Sequence, residues 1–333
     1  MHGIKAICRF FLFAVILPHV SVKGDDAGSA LSEMQRKHKT KIEVWSLCTK
    51  LKNDSGNEFY FAVYFLSGKF ILFSGNYVHY CALKMPMKEY THQSSAVIAP
   101  FGKIKHDYTT LDENIGGNTI SNDTPLKTIC ITADFSRLKG TFYLSPEKRH
   151  LTFKDVIGKN YGRRKFDWYM LPRCGVKALM AGSAQDTLYG NGHFQQFWGK
   201  NGEGNCDWFT VHTESGYDLI IAVFPESKRT LPWLPGDYVM ISRPDGTMRK
   251  STAFEYKIVE WWTNKRSNKK YPISVQIVIP EEKTDLIIKA LKEDQVKEIA
   301  GKEYWYGFGS LEGILNNEKQ IGWAFLSPLG VEF

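Results

Sequence analysis

Beyond residue 24 the sequence has no apolar run approaching the roughly 20 residues that a membrane-spanning helix needs, so no integral membrane span is expected. It also contains no G-x-S-x-G elbow, no H-E-x-x-H, no P-loop and no dinucleotide-binding glycine fingerprint. Serine hydrolase, zinc protease and nucleotide-dependent chemistry therefore have no basis in its motifs. Cysteine is sparse, six in all, with no C-x-x-C spacing and no neighbouring His pair, which argues against a zinc site; neither a metal nor a cofactor is expected. The basic clusters Lys148-Arg149-His150, Arg163-Arg164-Lys165 and Lys265 to Lys270 sit beside turns and lack the interleaved aromatics of a nucleic-acid groove, so no nucleic-acid partner is expected either. Helical periodicity is almost missing: only Leu291 to Ala300 reads as helix, and its apolar face is thin.

What is present begins with Lys5 and Arg9 ahead of the apolar run Phe10 to Leu17, followed by Pro18 and small residues near Val22 to Gly24. That pattern predicts a secretory signal peptide over residues 1–24, and hence an extracellular or secretory-lumen protein. The net charge is +8, of which Lys5, Arg9 and Lys23 contribute three, leaving +5 for the remainder. Removing Cys8 leaves Cys48, Cys81, Cys130, Cys174 and Cys206, which are either buried thiols or form one or two disulfides with at least one thiol left over. Asn53-Asp54-Ser55 and Asn122-Asp123-Thr124 are N-glycosylation sequons in turn-like surroundings, the second weakened by Pro125.

About 310 residues exceed a single core, which favours two domains. Val44 to Leu51 and Glu58 to Leu66 flank Asn53-Asp54-Ser55-Gly56-Asn57 and read as a hairpin. Lys69 to Phe73 and Tyr77 to Leu83 continue the pattern, Gly102 to Asp123 reads as a long polar loop, and Asp167 to Leu171 as a strand running into Pro172. Short strands recur through the second half, with Pro244-Asp245-Gly246 as a strong turn. The expected fold is all-β, two barrels in tandem covering residues 36–199 and 205–333, with the seam at Gly199 to Asn205.

The densest stretch is Leu188 to Leu219. Gly190 and Gly192 suit bends or close backbone approaches, and Phe194, Phe197 and Trp198 supply apolar surface before the Gly199 to Gly204 run. Asp207-Trp208-Phe209 then opens a strand that turns at Glu214 to Tyr217 and returns through Leu219 to Val223.

These pieces, in order, resemble the hydroxyneurosporene synthase and secreted AttH-like group, with kievitone hydratases and fungal Diels-Alderases as more distant relatives. The matching residues are Val44-Trp45 with the hairpin to Phe61, Trp168 to Arg173, the glycine pair leading to Trp198-Gly199, Asp207-Trp208-Phe209 before Ser215 to Leu219, and Tyr304-Trp305 followed by Gly307. The resemblance implies two lipocalin-like, calycin-type barrels and chemistry at a carbon–carbon double bond of a bulky apolar molecule such as an isoprenoid, polyene or polyketide. The sequence departs from the group at Gln195 and Gln196, where relatives often carry Asp-His, and at Tyr306, where a Glu is common. Gln neither gives nor takes a proton, so hydration, isomerisation or cyclisation would need another acid or would rely on holding the substrate in a reactive shape. The rival reading is a non-catalytic carrier of a hydrophobic ligand.

Candidate catalytic residues are His193, Gln195, Gln196, His212 and Tyr306, and candidate ligand contacts are Trp168, Phe194, Trp198, Trp208 and Trp305. Strand alternation sets Trp208, Thr210 and His212 on one face; if that face lines the cavity, His212 is a general acid or base, and otherwise it is an ordinary strand histidine. By the same parity Phe194, Gln196 and Trp198 share a face, which is expected to approach a common cavity with Trp208. Asp207 and Asp167 are buried acids or turn caps, and Glu255 and Glu260 are expected to face water.

Overall fold

Over the described residues, strands rich in aromatic and β-branched side chains pair into antiparallel ladders. The computed structural model describes residues 38, 40–69, 73–100, 111–123, 128–157, 166–181, 186–199, 206–225, 236–299 and 302–328. The expected signal peptide, residues 36–37 and most of the expected seam lie outside these. The described residues fall into two compact units, one holding the strands between Ile42 and Gly199, the other those between Asp207 and Pro328.

The first unit contains β1 (Ile42–Lys52), β2 (Glu58–Lys69), β3 (Phe73–Lys84), β4 (Glu89–Pro100), β5 (Asp112–Ile115), β6 (Asn118–Asp123), β7 (Thr128–Phe135), β8 (Leu138–Pro146), β9 (Leu151–Thr152), α1 (Phe153–Ile157), β10 (Phe166–Met180) and β11 (Thr187–Gly199). Their sheet runs β4-β3-β2-β1-β11-β10-β8-β7-β6-β5, with β9 paired to β10. The sheet curls back on itself into a nearly closed barrel, with Ser136 Oγ, in the turn between β7 and β8, donating to Gln93 Oε1 of the edge strand β4 at 2.9 Å.

The second unit contains β12 (Asp207–Thr213), β13 (Asp218–Val223), β14 (Tyr238–Ser242), β15 (Met248–Ser251), β16 (Glu255–Thr263), β17 (Lys270–Ile279), β18 (Thr284–Ala290), β19 (Val296–Ile299), β20 (Lys302–Trp305), β21 (Gly307–Leu315) and β22 (Glu318–Pro328). A 9-stranded sheet in the order β15-β14-β13-β12-β22-β21-β18-β17-β16 curls into a half-barrel, and β19 and β20 form a separate hairpin. The chain is therefore all-β with two barrel domains in tandem, as the strand spacing predicts.

Three local expectations are corrected. The stretch from Leu291 contains no helix over its described residues, because Val296–Ile299 pairs with Lys302–Trp305 and sets Val296 opposite Trp305, where both join the apolar core. That burial overrides a weak helical pattern. Part of the expected loop Gly102 to Asp123 is the hairpin β5–β6, turned by Gly116 and Gly117 at φ of 60° and 90°, which only glycine adopts freely. Strand β10 does not stop at Pro172: a register shift between Leu171 and Cys174 absorbs the missing N–H as a bulge, and pairing resumes to Leu179. Of the five cysteines, Cys48, Cys81, Cys174 and Cys206 are buried and Cys130 is half-buried.

The glycine pair performs a close approach rather than a bend. A Cβ at Gly190 would lie 2.1 Å from the Lys50 carbonyl oxygen, and one at Gly192 would lie 2.3 Å from that of Cys48. These are backbone atoms of the paired strand β1, so neither can yield without loosening the ladder. Gly192→Ala is expected to cost about 3 kcal/mol, the upper end of overpacking penalties, read as a lowered urea midpoint; an unchanged midpoint would contradict the close approach.

Candidate functional site

Register assigns the interior of the first barrel to tiers. One tier across β10, β11, β1, β2, β3 and β4 is Asp167, Trp198, Glu43, Ser67, Asn76 and Val97. The next is Tyr169, Gln196, Trp45, Phe65, Val78 and Ser95. A third, reached through Leu171, Phe194, Leu47, Val63 and Tyr80, is wholly within the apolar core. Trp45, Phe65, Val78 and Phe194 are fully solvent-excluded, so the deeper tiers are filled by their own side chains. The first tier is different in kind: a polar rim at the end of an apolar plug.

At that rim Glu43 is only 1% exposed. An unpaired carboxylate so placed would cost several kcal/mol, and the structure offsets this with three donors. His38 Nδ1 meets Glu43 Oε1 at 2.8 Å, the His38 backbone N–H donates to Oε2 at 3.0 Å, and Gln196 Nε2 donates to Oε1 at 2.7 Å. Trp198 stacks on the His38 imidazole, with ring centroids 4.0 Å apart and planes within 1°. The hydroxyl of Thr40 donates to the Gly199 carbonyl, tying the segment that carries His38 to the end of β11. The polar contacts of the His38 ring with Glu43 and Gln196 are made through Nδ1, and Nε2 is the other nitrogen of the ring.

Among the expected residues, Phe194, Gln196 and Trp198 do share one face of β11, and that face is the barrel interior. Phe194 lies in the packed core, so only Gln196 and Trp198 reach the rim. Asp167 is at the rim too, with its Oδ1 accepting the Trp168 N–H at 3.0 Å. His193 and Gln195 project from the opposite face, where His193 is buried opposite Cys48 and Gln195 sits opposite Ser46. Trp168 packs in an aromatic cluster, 6.3 Å from Phe153 and 6.3 Å from Phe197.

In the second unit the half-barrel interior is the Phe209 and Val211 face of β12. The condition under which His212 would line that interior is therefore not met: Trp208, Thr210 and His212 are on the other face, because Phe209 and Val211 are the residues that complete the apolar core. His212 is nonetheless buried, its Nδ1 bonded to Asp218 Oδ1 at 2.7 Å and its ring stacked on Trp323 at 4.4 Å. Asp207 faces the interior, where it accepts from Tyr256 OH at 2.9 Å. Burial first, and then that carboxylate, push the Tyr256 hydroxyl far above the ordinary tyrosine range. Trp305 belongs to the core and donates Nε1 to the Glu293 carbonyl at 2.6 Å. The Tyr306 carbonyl accepts from buried Lys297 Nζ at 2.7 Å, with that ammonium 3.1 Å from the Tyr306 ring centroid. Glu255 is exposed, and Glu260 pairs with Lys289 at 2.9 Å near the surface.

Asn53 stands at the start of the β1–β2 turn, its Oδ1 accepting the Asn57 N–H at 2.9 Å. Asn122 is in strand β6 and half-buried rather than in a loop. His38 and Glu43 escaped sequence reasoning. Glu43 had a signal, since it shares strand parity with Trp45 and Leu47; His38 had none, because it lies outside any periodic segment.

Comparison with solved structures finds the same fold elsewhere. An AttH-like protein from Nitrosomonas europaea superposes with a TM-score of 0.74 at 17% identity, over 95% of this chain and 100% of that one. Kievitone hydratase from Nectria haematococca superposes with a TM-score of 0.70 at 15% identity, over 94% and 98%. CghA does so with a TM-score of 0.55 at 13% identity, over 96% and 97%. No protein-family model and no curated protein matches the sequence.

Proposed function

We propose that the rim of the first barrel binds an apolar small molecule of the isoprenoid, polyene or polyketide kind and adds water across one of its carbon–carbon double bonds. The observation that carries this reading is the His38–Glu43 dyad, a histidine held by a buried carboxylate beneath a tryptophan. It supplies the proton-transfer group that Gln195 and Gln196 cannot. In the proposed reaction His38 Nε2 gives its proton to one alkene carbon, and positive charge develops on the other. Water adds there through its oxygen, and the proton it sheds returns to Nε2, so histidine serves as acid and then as base. Glu43 and Gln196 are positioning residues: the carboxylate holds Nδ1 and steadies the imidazolium, and the amide holds the carboxylate. The fold shared with a kievitone hydratase supports the choice of hydration, and the ordered motifs support a place beside the hydroxyneurosporene synthase and AttH-like group. Export belongs to the same proposal and rests on Lys5, Arg9 and the run Phe10 to Leu17, with Asn53 the sequon that stands in a turn with exposed residues.

The test is incubation with a panel of isoprenoids and polyenes in oxygen-18 water, with products read by mass spectrometry. One labelled oxygen per product is expected. Binding of panel members without any product would instead favour the carrier, the reading that Gln195 and Gln196 suggest.

A further inference from the structure

Across the rim from the dyad, three interior positions of β2 and β3 are polar where the tiers beneath them are apolar: Ser67, Ser74 and Asn76, all buried. Asn76 shares its strand face with Val78 and Tyr80 of the core, so its amide points into the barrel end rather than out of it. It is 5% exposed, and its Oδ1 is buried without a hydrogen-bond partner. A buried amide oxygen left unpaired destabilises the folded protein, and a valine or leucine there would fill the same space without that penalty. The polar residue is thus unexplained by packing. Asn76 pairs with Ser67, which pairs with Glu43, so two interstrand spacings, roughly 10 Å, separate its backbone from that of the dyad carboxylate.

We infer that Asn76 is a specificity residue, recognising a hydroxyl carried by the substrate roughly 10 Å from its reacting double bond, two strand spacings away. The inference rests on the rim being the binding site. A hydroxyl fits the chemistry because its O–H donates to the amide oxygen, and its own oxygen accepts from the amide nitrogen if the group turns over. A carboxylate fits poorly: it has no proton to give to Oδ1, and it would lie on the same rim as Glu43 and Asp167. The substrate class is then an amphipathic alkene, a terpenoid alcohol or an alkenyl phenol, held by its hydroxyl at Asn76 with the alkene against His38.

The experiment compares 4-hexylphenol with its methyl ether, 4-hexylanisole, by isothermal titration calorimetry against the full-length protein. The ether keeps the ring, the chain and the oxygen and replaces the donated proton with a methyl group. Wild type is expected to bind the phenol about tenfold more tightly than the ether, the scale of one well-made hydrogen bond to a buried group. Asn76→Leu is expected to bring the two affinities together and at the same time to raise Tm, since the unpaired amide is gone. Asn76→Ser serves as a second variant should the leucine disturb the barrel, and it is expected to keep part of the preference. If wild type binds both probes equally, or if Asn76→Leu keeps the full preference, the inference is overturned while the rim stands as a binding site. If neither probe binds, the rim reading falls with it.

Discussion

His38→Gln is expected to lower the rate of water addition by about 10²- to 10⁴-fold, the range for loss of a positioned general acid–base group, while substrate still binds. The barrel should survive the change, because His38 lies at the rim and none of the filled tiers depends on it. Glu43→Gln should cost a comparable factor by a different route. Its amide can present an N–H towards Nδ1, which then accepts, and Nε2 is left carrying the proton in the wrong tautomer for a base. Circular dichroism and calorimetric binding of the alkene that takes up label establish that each variant is folded and loaded. Should His38→Gln turn over within about threefold of wild type, the dyad is not the proton-transfer group.

Asp218→Ala is expected to destabilise the second unit by about 3 kcal/mol, the cost of leaving a buried imidazole without the carboxylate that it meets. Both residues are almost fully excluded from solvent, with side chains 1% and 2% exposed, and they face each other in the β12–β13 ladder. Removing the carboxylate leaves the imidazole against Trp323 without its Nδ1 acceptor and opens a small void. A fall in Tm of roughly 10 °C follows for a unit of this size. Asp218→Asn keeps an acceptor oxygen for an Nδ1–H, so its effect should be about 1–2 kcal/mol. A Tm for Asp218→Ala within about 2 °C of wild type would show that the pair contributes little to the fold. The same measurements bear on His212 as a catalytic candidate. A stability loss with unchanged turnover assigns the histidine to the fold.

The architecture was legible because strand parity and turn residues are local. Alternation in Val44 to Leu51 and Glu58 to Leu66 around an Asn-Asp-Ser-Gly-Asn turn specifies a hairpin whatever the rest of the chain does, and the structure has it as β1 and β2. Where local signal was weak, pairing decided. Leu291 to Ala300 had a thin helical face, and the hairpin of Val296 with Trp305 won by burying both side chains. Pro172 looked like a strand end, yet a bulge accommodates it because β11 continues alongside.

The candidate site divides in the same way. Alternation alone determined that Phe194, Gln196 and Trp198 share a face, whereas the choice between a bend and a close approach at Gly190 and Gly192 was made by pairing with β1. Alternation could not say which face of β12 turns inward, since Trp208 and His212 are as aromatic as Phe209 and His212 is as buried; sheet curvature chose Phe209. Nor could it bring His38 to Gln196, 158 positions away in sequence, or leave the Asn76 amide oxygen unpaired. Those depend on strand order, β3-β2-β1-β11, which places residues remote in sequence in one tier. Local sequence sets the parity of a strand, while its neighbours, and hence the chemistry that parity meets, are set only when the barrel closes.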